Sequence, residues 1–296
     1  MMAGEHVLEL LVDDAVFGES PRWHDGAFWF SDIGGGKVWR IAPDGTRTMV
    51  LSSVPGPSGL GWTREGDLLV TSLKDHTIYR MDADGVARPF CGPDQHGTVG
   101  TNDMTTAGSR SYVSCAGRVY QMGDSMQDIA APVGKVLLID HDSGAVRTVA
   151  DGYRMPNGIA FSPDGSRLVF SELFASRLLE FDIEPDGSLA NERIFATLDG
   201  SADGIWMDAE GMLWCATTSM ATHATRWERV AEGGEVLESI PVPDGYHAIA
   251  CALGGEDGRD LYLVANKTET PDDVWNGRAR SRVYRTRASV PTAPRL

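Results

Sequence analysis

Cysteine is scarce in this chain and never closely paired: Cys91, Cys115, Cys215 and Cys251 stand far apart, with no C-x-x-C spacing. That excludes a disulfide scaffold or a cysteine-rich zinc module and leaves reduced, buried thiols as the expectation. Positive charge is also in short supply, with 26 Lys and Arg against 42 Asp and Glu and a formal charge of −16. Such a field repels a phosphate backbone, so no nucleic-acid partner is expected. The one local basic run, Arg278, Arg280, Arg282, Arg285 and Arg287, has the alternate spacing of a strand's wet face. No apolar run reaches the roughly 20 residues that span a bilayer, so no membrane partner is expected either. The start, Met1 to Val12, carries Glu5 and Glu9 in its apolar stretch and has no basic, signal-like opening, which makes the cytoplasm the expected location.

Helix signals are nearly absent, and what replaces them is a repeat. A polar residue, a short apolar strand, an acidic-Gly turn and further strands recur in "ESPRWHDGAFWFSDIGGGKVWRIAPDG" from Glu19 and "SGLGWTREGDLLVTSLKDHTIYRMDADG" from Ser58. Later copies open at Asn102, Asn157, Asp203 and His247. The openings are 39 (Glu19 to Ser58) to 55 (Asn102 to Asn157) residues apart, the period of a four-stranded blade, and Asp-Gly turns close hairpins. The expected fold is all-β: one six-bladed β-propeller domain over residues 1–296, with four antiparallel strands per blade. The last copy is one strand short, so the N-terminal "HVLELLV", His6 to Val12, is expected to close the last blade.

Aligned by their turns, Glu19, Ser58, Asn102, Asn157, Asp203 and His247 fall at one repeat position, just before each innermost strand. Pseudo-six-fold rotation brings equivalent positions together at one mouth of the channel. A turn-forming role is open to Asn157-Gly158 and Asp203-Gly204, whereas Glu19 in "FGESPRW" is a poor turn residue. Buried carboxylates need partners, and a cation serves two of them beside two amides. Glu19, Asn157 and Asp203, with Asn102 direct or through water, make an oxygen-donor set for one divalent metal ion. Ca²⁺ leads, with Mg²⁺ and Mn²⁺ close, and Zn²⁺ can occupy such an open site. His247 is a candidate substrate contact or proton shuttle, and His223 a weaker one. No G-x-S-x-G marks a serine nucleophile, and Gly34 to Gly36 lack the Lys-Ser/Thr and helix of a phosphate loop.

The motifs "GESPRW", "MPNGIAFSPDG", "ADGIWMDAEGMLW" and "LGGEDGRDLYLV" resemble the senescence marker protein, gluconolactonase and regucalcin-like family across essentially the whole chain. That resemblance implies a six-bladed, metal-dependent lactonase in which Glu19, Asn157 and Asp203 hold the metal and Asn102 lies beside the substrate. It also makes Asp203 the candidate general base, with a nucleophilic role through an acyl intermediate as the variant. The family's Arg-x-Asn-Asp reads "GTND" here, so Gly100 stands where sugar lactonases often place an arginine. A small-molecule lactone or ester is the expected partner, an aldono-lactone first. An organophosphate or arylester hydrolase, or a metal-binding regulatory propeller without turnover, are the other readings. The loop "QMGDSMQDIAAPVG", residues 121–134, is a candidate cover for the mouth.

Overall fold

The computed structural model describes residues 6–97, 100–117, 130–219, 221–243 and 245–293. Six antiparallel four-stranded sheets form a six-bladed β-propeller. The innermost strands of blades one to six are Gly18–His24, Pro57–Trp62, Thr101–Ala107, Pro156–Phe161, Gly200–Met207 and His247–Gly254. Each next strand follows through a short turn, such as Asp25-Gly26, where both residues have the positive φ that tight hairpins need. Second strands such as Leu68–Ser72 are buried throughout, as expected where both faces pack against neighbouring blades. Core clusters lie between blades; one joins Phe28 and Phe30 of blade one to Tyr262 and Val264 of blade six.

The ring closes with the N-terminal strand, which runs Glu9–Ala15, three residues later than the sequence indicates. It pairs antiparallel with Arg280–Arg287, Glu9 opposite Arg285 and Ala15 opposite Ser281. Two bulges in that pairing let Val12 and Ala15 face the core while Leu10 stays exposed. Asn266 adds a second clasp, accepting from Gly18 N at 3.2 Å and donating to Gly18 O at 2.9 Å. Val12→Asp places an unpaired carboxylate at this seam, at a cost of about 3 kcal/mol. The melting temperature in thermal unfolding is expected to fall by roughly 6–12 °C; an unchanged value would show that the seam does not hold the ring.

All four cysteines are buried and free, and burial alone pushes the Cys91 thiol up to about 12. The basic run near the C-terminus lies along the last strand from Arg280 on, with Arg278 just before it, and Arg285 pairs with Glu9 at 2.7 Å and Arg287 with Asp260 at 2.5 Å. Among the described residues no helix is long and apolar enough to cross a membrane.

Candidate metal centre

The sequence places the polar ring just before each innermost strand; the structure places it inside them. Gly18, Pro57, Thr101, Pro156, Ala202 and His247 pair with Asp32, Ser72, Cys115, Glu172, Thr217 and Asn266 on the second strands. The residue after each is the ring position: Glu19, Ser58, Asn102, Asn157, Asp203 and Ala248. Every blade has a break in register here, spanning the ring position in blades two to five and falling directly after it in blades one and six. Such a bulge re-aims a side chain that regular pleating sends into a blade interface.

Blade six therefore corrects the turn-based alignment. His247 stands one residue early and is exposed, and buried Ala248 takes the sixth position. The reason is period two: a slip of one residue exchanges the faces of a strand. The ring thus has five polar members, not six.

Asn157-Gly158 and Asp203-Gly204 lie within strands and are not turns. A Cβ on Gly158 would lie 2.3 Å from Ile205 N, and one on Gly59 2.5 Å from the Asn102 carbonyl oxygen. These glycines let neighbouring innermost strands approach, which brings the ring residues before them together. Hydroxyls on the second strands then clamp ring carbonyls of the next blade: Ser31 donates to Ser58 O, Thr71 to Asn102 O, and Ser171 to Asp203 O at 2.7 Å.

Glu19, Ser58, Asn102 and Asn157 are buried, while Asp203 is half-buried. Ser58 Oγ donates to Asn102 Oδ1 at 3.0 Å, and Ser20 N donates to Glu19 Oε2 at 2.6 Å. Ser20 has φ 46°, unusual for a residue with a side chain; its Oγ reaches Asp103 Oδ1 at 3.1 Å. Among the described residues, Asn157 Oδ1 and Asp203 Oδ1 are buried and have no hydrogen-bond partner. Burial, then the negative charges of Asp203 and Asp103, hold the Glu19 carboxyl well above the usual carboxylate range. Burial, then Asp103, raises Asp203 to about 8.

Two unpartnered buried oxygens beside mutually repelling carboxylates are what a cation satisfies. Among the described residues no three Asp, Glu, His or Cys side chains gather into one ligand set. The donors are therefore carboxylates mixed with amides, a hard-oxygen set rather than a thiolate or imidazole one.

The sequence reading missed the Arg22–Asp103 pair. Arg22, three residues after Glu19, crosses from blade one to blade three, where Nη2 bonds Asp103 Oδ1 at 2.5 Å and Met104 O at 2.6 Å. Asp103 follows Asn102 directly, so the "ND" dipeptide was its only signal. Gly100 sits in the backbone ladder with Gly117 and Ala116. Residues 121–129 of the expected mouth cover lie outside the described residues.

Fold and ring together define a class: a six-bladed β-propeller with carboxylate, amide and hydroxyl side chains ringed in its channel. The chain belongs to the SMP-30/Gluconolactonase/LRE-like family, whose model matches residues 17–267. It is 28% identical over 265 residues to an L-arabinolactonase of Azospirillum brasilense, covering 87% of this chain and 83% of that one. It is 26% identical over 293 residues to a 6-deoxy-6-sulfogluconolactonase of Pseudomonas putida, covering 94% and 93%. A solved regucalcin from Agrobacterium tumefaciens, described as a calcium-binding protein, superposes with a TM-score of 0.75 at 20% identity, covering 99% and 98%.

Proposed function

We propose that this protein hydrolyses a lactone, a sugar lactone first among candidates, with one divalent cation held by Glu19, Asn157 and Asp203 and by Asn102 directly or through water. The observation that carries the reading is the pair of buried, unpartnered oxygens, Asn157 Oδ1 and Asp203 Oδ1, on adjacent blades beside Glu19. The lactonase names of the relatives support the substrate class. A divalent ion bound in this set supplies polarisation of a carbonyl oxygen and a lowered pKa for water.

Asp203 acts as the general base, taking a proton from the water that adds to the lactone carbonyl. The ring C–O bond then breaks, the leaving oxygen takes that proton, and the product is the open hydroxy acid. Asn102 orients the substrate: Ser58 donates to one lone pair of its Oδ1, which leaves the other for the cation or its water and the amide Nδ2–H groups as donors toward a hydroxyl or ring oxygen. His247, exposed near the start of its strand, contacts substrate rather than the ring. With Gly100 in place of an arginine, sugar selectivity rests on other groups at the mouth.

Acid release should be followed on L-arabinono-1,4-lactone, glucono-1,5-lactone, an aliphatic γ-lactone and paraoxon, in chelator and after adding back Ca²⁺, Mg²⁺, Mn²⁺ or Zn²⁺. The expected result is sugar-lactone turnover that is lost on chelation and restored by at least one ion. Turnover indifferent to chelator, or paraoxon as the preferred substrate, would refute the reading.

A further inference from the structure

Ring residues stand near the start of the innermost strands. Residues at the far ends of the same strands, among them His24, Trp62, Thr106 and Phe161, line a cavity of about 830 Å³. These far-end residues lie four or five residues of extended chain beyond the ring, about 13–16 Å, and Arg22 and Trp206 of the same lining lie three beyond it, about 10 Å. The volume lies within the range of small-molecule sites, roughly 300–1,000 Å³.

The walls of this cavity are aromatic and already fixed. His24 stacks on Trp62 with ring centroids 3.9 Å apart, and Trp29 meets the same indole edge-on at 5.4 Å. On blade five, the Trp206 indole N–H donates to Thr292 Oγ1 at 3.0 Å. The tail carrying Thr292 is itself pinned, because Ala209 N donates to Pro291 O at 2.9 Å and Thr292 N to Gly258 O at 2.8 Å.

One buried charge faces this cavity. Arg22 is only 9% exposed, lines the cavity, and holds its guanidinium 5.7 Å from the Trp206 ring centroid. Its Nη1 donates to Pro21 O at 2.8 Å, and its Nη2 to Asp103 and to Met104 O. A guanidinium has five N–H donors; among the described residues Nε–H and one Nη1–H of Arg22 make no hydrogen bond. The other charges of the lining, Arg64, Asp25 and Glu256, are exposed and of mixed sign, so recognition of charge falls to Arg22.

We propose that this far mouth of the channel is a second binding site, for a small planar aromatic carboxylate. The ring of the ligand packs on the Trp62, Phe161 and Trp206 faces, and its carboxylate accepts from the unspent Arg22 donors. Nothing in this site depends on lactone chemistry at the other mouth.

Calorimetric titration of the full chain with 2-naphthoate is expected to give one saturable site. It should bind roughly tenfold more tightly than 2-naphthalenemethanol, which lacks the charge, or cyclohexanecarboxylate, which lacks the aromatic face. Trp62→Ala removes a wall and Thr106→Phe fills the space, so each should weaken 2-naphthoate by roughly tenfold; the second variant serves if the first does not fold. His247→Gln, at the opposite mouth, should leave the affinity within about threefold. No saturation, equal affinity for the neutral alcohol, or binding lost in His247→Gln but kept in both cavity variants would overturn the assignment.

Discussion

Replacing Asp203 by Asn is expected to lower kcat/KM for the lactone by about a thousandfold while raising the melting temperature of the cation-free protein. The loss follows from two roles carried by one side chain. As general base Asp203 contributes about 10²–10⁴-fold, and as ligand it helps hold the cation. The gain in stability follows from removing a carboxyl whose ionised form burial and neighbouring charge make costly. Burial and the Asp203 charge are the two largest causes that raise the Glu19 carboxyl, and an amide of the same shape removes the second of them. Function here opposes stability, as is common where like charges gather at a site. Steady-state kinetics with add-back of cation and calorimetric scans in chelator test both halves. A variant within tenfold of the parent in kcat/KM, or one that melts lower in chelator, would refute this account.

The second large effect joins pH to the cation. Asp203 has an ordinary value of 3.8 and is raised to about 8, and Glu19 is raised well above 4.5. Between about pH 4 and pH 8 the cation-free folded protein therefore holds protons that the unfolded chain has already released. The unfolded state binds fewer protons across that window, so stability falls as pH rises through it. A bound divalent cation favours the ionised carboxylates and opposes the trend. At a hundredfold excess over its Kd it adds about 2.7 kcal/mol, worth roughly 5–10 °C. Thermal scans from pH 5 to pH 8 should slope downward in chelator and flatten in Ca²⁺. Identical profiles with and without cation would mean that the ring binds none.

Much of the fold is legible in the chain because a blade is a local object. Acidic-Gly turns and alternating strands recur within each copy, so neighbouring strands pair with neighbours in sequence. The N-terminal strand closes the ring through a contact that spans the chain, yet it was foreseeable because the last copy lacks one strand. Its start was misjudged because its bulges break the alternation that marks a strand's bounds.

Glu19, Asn157 and Asp203 were legible for a similar reason: polar groups stood at one repeat position where packing favours apolar ones. His247 was misplaced because "YHAIAC" has no Gly or Pro to fix its register, and only pairing with Asn266 reveals the slip. The Arg22–Asp103 pair joins residues 81 positions apart, and no local pattern announces such a meeting.

By itself, then, the sequence determined the number of blades, the closure of the ring and the polar character of most of its channel positions, since periodicity and residue type are local properties. Tertiary structure alone decided which side chain of each strand faces the channel, which oxygens lack partners, and where Arg22 lies. Those depend on bulges and cross-blade contacts, in which one residue of register changes what a side chain meets.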